Sequence, residues 1–257
     1  MISKNKIKYL HSLEAKKGRD ADNVFVAEGP KVVGDILNNH PEKLRKLIAT
    51  EAWLRTNRNV IQQNVECEMI EVTQEELSKA SFLCSPQQVM AVFEKLGNTI
   101  DRQVLSESLS LLIDGVQDPG NLGTIIRVAD WFGIENVLCS HSTVDCYNPK
   151  VVQSTMGSIA RVNVVYCDIK ELIASMPNGF PIYGTLLEGE NMYEKQLSAK
   201  GFIVMGNEGK GLSTAVREMV TEAIRIPNFP ASRKTADSLN VAIATAVVCA
   251  EFRRRQV

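Results

Sequence analysis

Metal-ligand and redox spacings are missing from this sequence. Its six cysteines, Cys67, Cys84, Cys139, Cys146, Cys167 and Cys249, are scattered without a CxxC pair, and its three histidines stand in no ligand spacing. That excludes a zinc ribbon or thiol-redox motif and favours reduced thiols in a cytoplasmic protein over a disulfide frame. No metal site is expected. No apolar run approaches the roughly 20 residues that cross a bilayer. The basic start, "MISKNKIKYLHSLEAKKGRD", has no apolar core, so neither a membrane span nor a secretory leader is expected. Phosphate-loop and dinucleotide fingerprints are lacking too. In "GNEGKGLS" Lys210 stands between glycines, and no turn carries Gly-x-Gly-x-x-Gly. Nor does one sign of charge dominate, the net charge being −1 over 257 residues. The balance is uneven, however. Residues 1–60 hold 12 Lys and Arg against 7 Asp and Glu, and residues 61–110 hold 3 against 8. A nucleic-acid partner would be met by local patches, chiefly the N-terminal arm, and the same lysines also suit a solvated helix face.

What is present is a strand–helix rhythm in two parts. In residues 1–95, "IKYLHSL" has helical spacing, "NVFVAEG" is a strand stopped by Gly29, and "PKVVGDILNN" is a helix with Pro30 in its first turn. "LRKLIAT" and "QQVMAVFEK" read as strands, with "QEELSKA" as a helix between them. Residues 96–108 are polar and read as a linker. Residues 109–257 alternate strand and helix. The strands are "LSLLIDGV", "ENVLCS", "VNVVYC", "FPIYGTLL", "GFIVMGNEG" and "AIRIPNF". The helices are "LGTIIRVADWFG", "NPKVVQSTMGSIA", "LSTAVREMV" and "SLNVAIATAVVCAEFRRR", the last capped by Ser238. The apolar run of "LSLLIDGV" is too continuous for a half-exposed sheet. An α/β fold with a parallel sheet covered by helices on both faces follows.

Ligands of such sheets sit beyond the carboxyl ends of the strands. Three turns fall there: "QDPGNLG", "MGNEGKGLS" and "IPNFPASRKTADSLN". Singly they read as an ordinary turn, a loop and a helix cap. Together they gather Asn121, Arg127, Glu208, Ser238 and Asn240.

In their order, "NLGTIIRVADWFG", "IVMGNEGKGLS" and "IRIP" with "SLNVAIATAV" resemble the three signature motifs of the SpoU/TrmH family of RNA ribose 2′-O-methyltransferases. The resemblance covers about the last 150 residues. "FVAEG" and the basic segment before it are similar to the start of that family's L30e-like RNA-binding domain. The resemblance implies a deep trefoil knot in the C-terminal domain and S-adenosylmethionine as cofactor. It implies a cofactor pocket lined by Thr185, Leu186, Gly206, Ile226 and Leu239, largely through backbone groups. Apolar walls with backbone donors and acceptors suit an adenine nucleoside.

By the same resemblance Arg127 is the central catalytic residue, with Asn121, Glu208, Ser238 and Asn240 around it. A guanidinium fork matches two phosphate oxygens. Making any arginine a general base costs roughly 8 kcal/mol, at about 1.4 kcal/mol per pKa unit. A phosphate clamp that also stabilises the forming alkoxide is the preferred role, with the proton passing to a phosphate oxygen, Glu208 or water. The bland alternative is an ion pair with Asp114, Asp118 or Asp130. Two other functions stay open: an RNA-binding protein with an inactive transferase fold, and a knotted base methyltransferase. The segment from Ile226 to Ser238 is longer than usual for the family by about four residues. Its Arg233 and Lys234 suit either a solvated bulge or phosphate contacts. The terminal Arg253 to Arg255 read as a helix-end charge cluster. A homodimer is implied, and Val241, Thr245, Val248 and Phe252 form a stripe on the last helix that could serve it.

Overall fold

The computed structural model describes residues 2–57, 67–230 and 236–256. The chain forms two compact units, residues 1–97 with 145–161, and residues 98–144 with 162–257.

In the first unit, helix α1 (Lys4–Ser12) starts at Ser3, whose hydroxyl accepts from Lys6 N. Helix α2 (Lys16–Asp22) leads into strand β1 (Val24–Glu28), which is buried throughout. Gly29, at φ +84°, turns the chain into α3 (Pro30–Asn39), a turn a side chain would strain. Strands β2 (Leu44–Ala49), β3 (Glu68–Glu71) and β4 (Val89–Glu94) complete a sheet in the order β1-β4-β2-β3. Among the described residues of this sheet only β2 and β3 run parallel. Among the described residues between the strands in sequence are the short helices α4 (Glu51–Thr56) and α5 (Gln74–Ala80). A Thr73–Glu76 capping box starts α5. Leu10, Leu13, Val26, Ile48, Leu77 and Met90 share one core.

Residues 145–161 belong to this unit. The Arg19 guanidinium, 1% exposed, donates to the carbonyls of Leu13 and Glu14 and pairs with Asp145 at 2.6 Å. Tyr147 donates to Leu96 O and accepts from Leu96 N, its ring 4.8 Å from that of Phe25. His40 donates to Ala160 O, and Arg161 pairs with Asp35. The single helix expected over "NPKVVQSTMGSIA" is interrupted. Helix α6 (Pro149–Ser154) ends before Met156 (φ 52°) and Gly157 (φ 96°), and only a 3₁₀ turn, Ser158–Ala160, follows. A Cβ on Gly157 would lie 2.5 Å from the Asp35 carboxylate.

In the second unit, the segment expected as linker contains helix α7 (Arg102–Glu107), capped by Asp101. Six strands follow: β5 (Leu109–Asp114), β6 (Asn136–Cys139), β7 (Asn163–Tyr166), β8 (Ile182–Asn191), β9 (Gly201–Gly206) and β10 (Glu222–Arg225). They pair in parallel in the order β10-β8-β9-β5-β6-β7. Leu112, Leu138, Phe202 and Val204 pack with residues of α7, α9 (Ile169–Ala174) and α10 (Thr214–Arg217). Strand residues of opposite parity, Leu111, Ile113, Val137 and Ile203, are as fully buried, so both faces are covered. Helices α8 (Pro119–Trp131) and α11 (Val241–Arg254) pack on each other.

The stripe assigned to a dimer partner is core. Val241, Thr245, Val248 and Phe252 are all buried in the single chain, and the Phe252 ring meets Tyr183 edge-on at 4.9 Å. The terminal arginines do more than offset a dipole. Arg253 donates to Phe132 O and Gly133 O at the end of α8. Arg255 donates to the carbonyls of Met192, Tyr193 and Lys195, and Arg254 with Arg255 holds buried Glu251. Those bonds pull the Glu251 carboxyl down to about 2, Arg254 contributing most.

Candidate active site

The strand order reverses between β5 and β9, which makes the crevice beyond their carboxyl ends the switch point of the sheet. From β5 the chain passes through Asp114 and Gly115 (φ +77°) to Asp118. The Asp118 side chain accepts from Asn121 N at 2.8 Å and caps α8, whose first turn presents Asn121. From β9 the chain passes through Gly206 into a closed turn over residues 207–211 that carries Glu208.

Three of the five catalytic candidates meet here. Asn240 Nδ2 donates to Asn121 Oδ1 at 2.9 Å, and Asn121 Nδ2 donates to Glu208 Oε1 at 2.9 Å. Residues 119 positions apart in sequence thus form one chain of amides ending on a carboxylate. Each amide is oriented by its neighbour, and Glu208 Oε2 makes no hydrogen bond among the described residues.

The other two stand apart. Ser238 is exposed and does not cap the last helix. Asn240 does, its Oδ1 accepting from Ala242 N at 3.0 Å and Ile243 N at 3.3 Å. Asn240 prevails because its free amide group also reaches Asn121. Arg127 lies six residues along α8 from Asn121, about 9 Å of helix rise. It is exposed and makes no ion pair or hydrogen bond among the described residues. The expected alternative fails on that observation. Asp114 accepts instead from Ser213 N at 2.7 Å, and Asp118 serves the cap.

The cofactor candidates surround the same strand ends. β8 leaves its ladders at residues 185–189: Tyr183 and Gly184 pair with Glu222 and Ala223, then Glu190 and Asn191 pair with Ile224 and Arg225. Thr185 and Leu186 therefore begin an excursion and do not end a plain strand. The Thr185 hydroxyl donates to Val204 O at 2.9 Å. Leu186 and Ile226 are half-buried, and Leu239 is 53% exposed. Gly206 approaches a neighbouring backbone: a Cβ there would lie 2.5 Å from Gly211 C. Partly exposed apolar side chains beside side-chain-free backbone suit a flat nucleoside, so these residues fit S-adenosylmethionine. Among the described residues no group of three or more His, Cys, Asp or Glu could hold a metal, and no helix is long and apolar enough to cross a membrane. Arg233 and Lys234 lie outside the described residues.

Sequence reasoning does not single out Asn207, and it names Asp118 only as a possible partner for Arg127. Asx residues ahead of a turn or cap are common, and nothing in "GNEG" or "QDPGN" distinguishes a residue that ties a site together.

Residues 108–250 match the model of the SpoU rRNA Methylase family, and residues 4–91 match the MRM3-like substrate binding domain. The chain is 30% identical over 250 residues to the Bacillus subtilis 23S rRNA (guanosine(2553)-2′-O)-methyltransferase RlmP, covering 96% of each chain. It superposes on a TrmH-family protein from Porphyromonas gingivalis with a TM-score of 0.85 at 38% identity, over 99% of each chain. It superposes on an AdoMet-bound rRNA methyltransferase from Sinorhizobium meliloti with a TM-score of 0.88 at 29% identity, over 100% of this chain and 97% of that one. With the three motifs converging on one switch point and the family model spanning more than half its length, this chain belongs to the SpoU rRNA methylase family.

Proposed function

We propose that the chain transfers a methyl group from S-adenosylmethionine to a ribose 2′-hydroxyl of ribosomal RNA. The observation that carries this is the Asn240–Asn121–Glu208 chain, which joins the three motifs at the switch point. When bound, the cofactor supplies a methyl group already activated by its sulfonium. What remains for the protein is alignment and charge. Glu208 accepts the proton of the attacking hydroxyl. Arg127, carrying its charge unpaired, clamps a phosphate and offsets the forming alkoxide. Thr185, Leu186, Gly206, Ile226 and Leu239 hold the cofactor, and Ser238, next to Leu239 in sequence, acts with the catalytic group. Incubation with labelled S-adenosylmethionine and separate ribosomal and transfer RNA tests the reading. Label recovered as a 2′-O-methyl nucleoside from ribosomal RNA is expected. A methylated base, or no label at all, overturns it.

Family membership also supports a deep trefoil knot in residues 109–257 and a cytoplasmic enzyme. The first unit supplies RNA affinity, a reading supported by its match to a substrate-binding domain. Lys4, Lys8 and Lys17 are exposed and carry no ion pair among the described residues. Changing all three to glutamate is expected to weaken RNA binding and to flatten its salt dependence, by about one unit of slope for each phosphate that is no longer neutralised. Cofactor affinity should stay unchanged. RNA titrations across a salt series, with the slope unmoved, would refute this. Point variants are preferable to deleting residues 1–95, which would strip residues 145–161 of the core they complete.

The dimer is proposed to use the outer faces of α8 and α11. There Trp131 is 85% exposed and Ile243 55%, near Leu239 in sequence. The two helices run side by side in the same direction, so Trp131 at the end of α8 and Ile243 at the start of α11 stand at opposite ends of the pair, and a second copy of the chain lying along it would cover both. Trp131→Glu is expected to sediment as a monomer at micromolar concentration, where the wild type sediments as a dimer. A monomeric wild type counts against the proposal.

A further inference from the structure

Glu208 is exposed, and its side-chain bond with Asn121 joins groups that water also serves. Such a bond does little by itself to hold a flexible carboxylate in one place. The backbone beneath supplies the constraint. Asn207 N donates to Gly211 O at 3.0 Å and Gly211 N donates to Asn207 O at 2.9 Å, closing the turn over residues 207–211. Inside that ring Asn207 Oδ1 accepts from Gly209 N and Lys210 N, each at 3.0 Å. Outside it, Asn207 Nδ2 donates to Gly115 O at 2.7 Å, in the turn that runs through Asp118 into α8. One side chain thus shapes the loop bearing Glu208 and ties it to the turn bearing Asn121. Both ends of that side chain are committed to backbone: Oδ1 accepts two N–H groups and Nδ2 gives one of its two hydrogens to Gly115 O.

We propose that Asn207 is a positioning residue for methyl transfer: it acts through Glu208 by setting that carboxylate against Asn121, and it touches neither cofactor nor RNA. The inference rests on the reading of Asn121, Glu208 and Asn240 as the transfer site. A second tie, Ser213 N to Asp114, holds the far end of the loop independently. Loss of Asn207 should therefore loosen the loop without unfolding the unit.

A double-mutant cycle with Glu208→Gln tests it. The full chain is used, under single-turnover conditions, with labelled S-adenosylmethionine and ribosomal RNA from cells lacking the protein. Residues that act through one group do not add, so Asn207→Ala should slow transfer about tenfold in the wild-type background and less than about twofold beside Glu208→Gln. Cofactor affinity, titrated in parallel, should hold within about threefold, because an effect confined to the transition state leaves ground-state binding alone. Asn207→Asp keeps the two acceptor bonds, loses the donor to Gly115 and should fall between wild type and Asn207→Ala. If Asn207→Ala does not fold, by circular dichroism, Asn207→Asp goes through the same cycle and decides. An equal loss in both backgrounds, or a loss that follows cofactor affinity, overturns the inference while leaving the site intact. A Glu208→Gln variant as fast as wild type overturns the reading of the site, and Asn207's role with it.

Discussion

Arg127→Ala should lower methyl transfer by roughly 10²-fold or more, the scale of one removed oxyanion donor. The structure sharpens the reason. An arginine kept for stability has partners, whereas Arg127 is exposed and has none among the described residues. Its removal should leave the melting temperature within a few degrees of wild type, as expected of a surface change of less than about 0.5 kcal/mol. Arg127→Lys should be nearly as slow, because a point charge on a flexible stem does not reproduce a planar fork. Cofactor affinity should stay within a few-fold for both. Single-turnover transfer measured beside calorimetric titration of S-adenosylmethionine separates these effects. Near wild-type transfer by Arg127→Ala would remove the residue from the mechanism. Lost folding or cofactor binding would make its role structural.

Gly206→Ala is expected to damage the other half of the site. The added Cβ would lie 2.5 Å from Gly211 C, 2.6 Å from Leu212 N and 2.7 Å from Gly211 O, all backbone atoms. None of them can yield by changing a rotamer, so the turn over residues 207–211 must open and Glu208 must move. Overpacking of this kind costs about 1–3 kcal/mol. Cofactor affinity should fall about tenfold or more, since about 1.4 kcal/mol is one decade of binding. Gly209→Ala is the internal control. Its Cβ would meet nothing closer than Asn207 Oδ1 at 3.8 Å, an ordinary contact. Calorimetry on the two variants should show a wide gap between them. Equal affinities would mean that the close approach at Gly206 has no part in holding the cofactor.

The legible parts of this molecule are those set by local rules. Leu109–Asp114 reads as a buried parallel strand because apolar residues at both parities need cover on both faces, and β5 lies inside the sheet. Asn121, Glu208 and Asn240 are legible as a group because each follows a strand of one sheet. Other features depend on distant partners. "SLN" offers two competent caps, and the bond from Asn240 to Asn121 decides between them. The last helix is apolar nearly all round, so its period does not say which stripe is core, and the stripe read as a partner's is the buried one. A parallel register jump leaves no mark in "IYGTLLEGEN". Gly189 gains its meaning only from the Ile224 backbone, 2.5 Å from where its Cβ would be. Nor does strand–helix alternation reveal that residues 145–161 join another core, because Arg19 and Asp145 are 126 positions apart.

That last segment sets an order of events during synthesis. The first unit's remaining chain is complete at Gly97, yet its final stretch is made only after β5, α8 and β6 of the second unit. At roughly 5–20 residues per second, the nascent sheet waits some seconds on the ribosome with the Phe25 ring lacking its Tyr147 cover and Arg19 lacking Asp145. Until then the Arg19 guanidinium has the carbonyls of Leu13 and Glu14 but no carboxylate, so the last contacts of the N-terminal unit form only after synthesis has passed into the second. Heredity meets the same constraint: a single cut in the gene cannot lift the first unit out whole, and recombination that moves it must carry two separate pieces of coding sequence together.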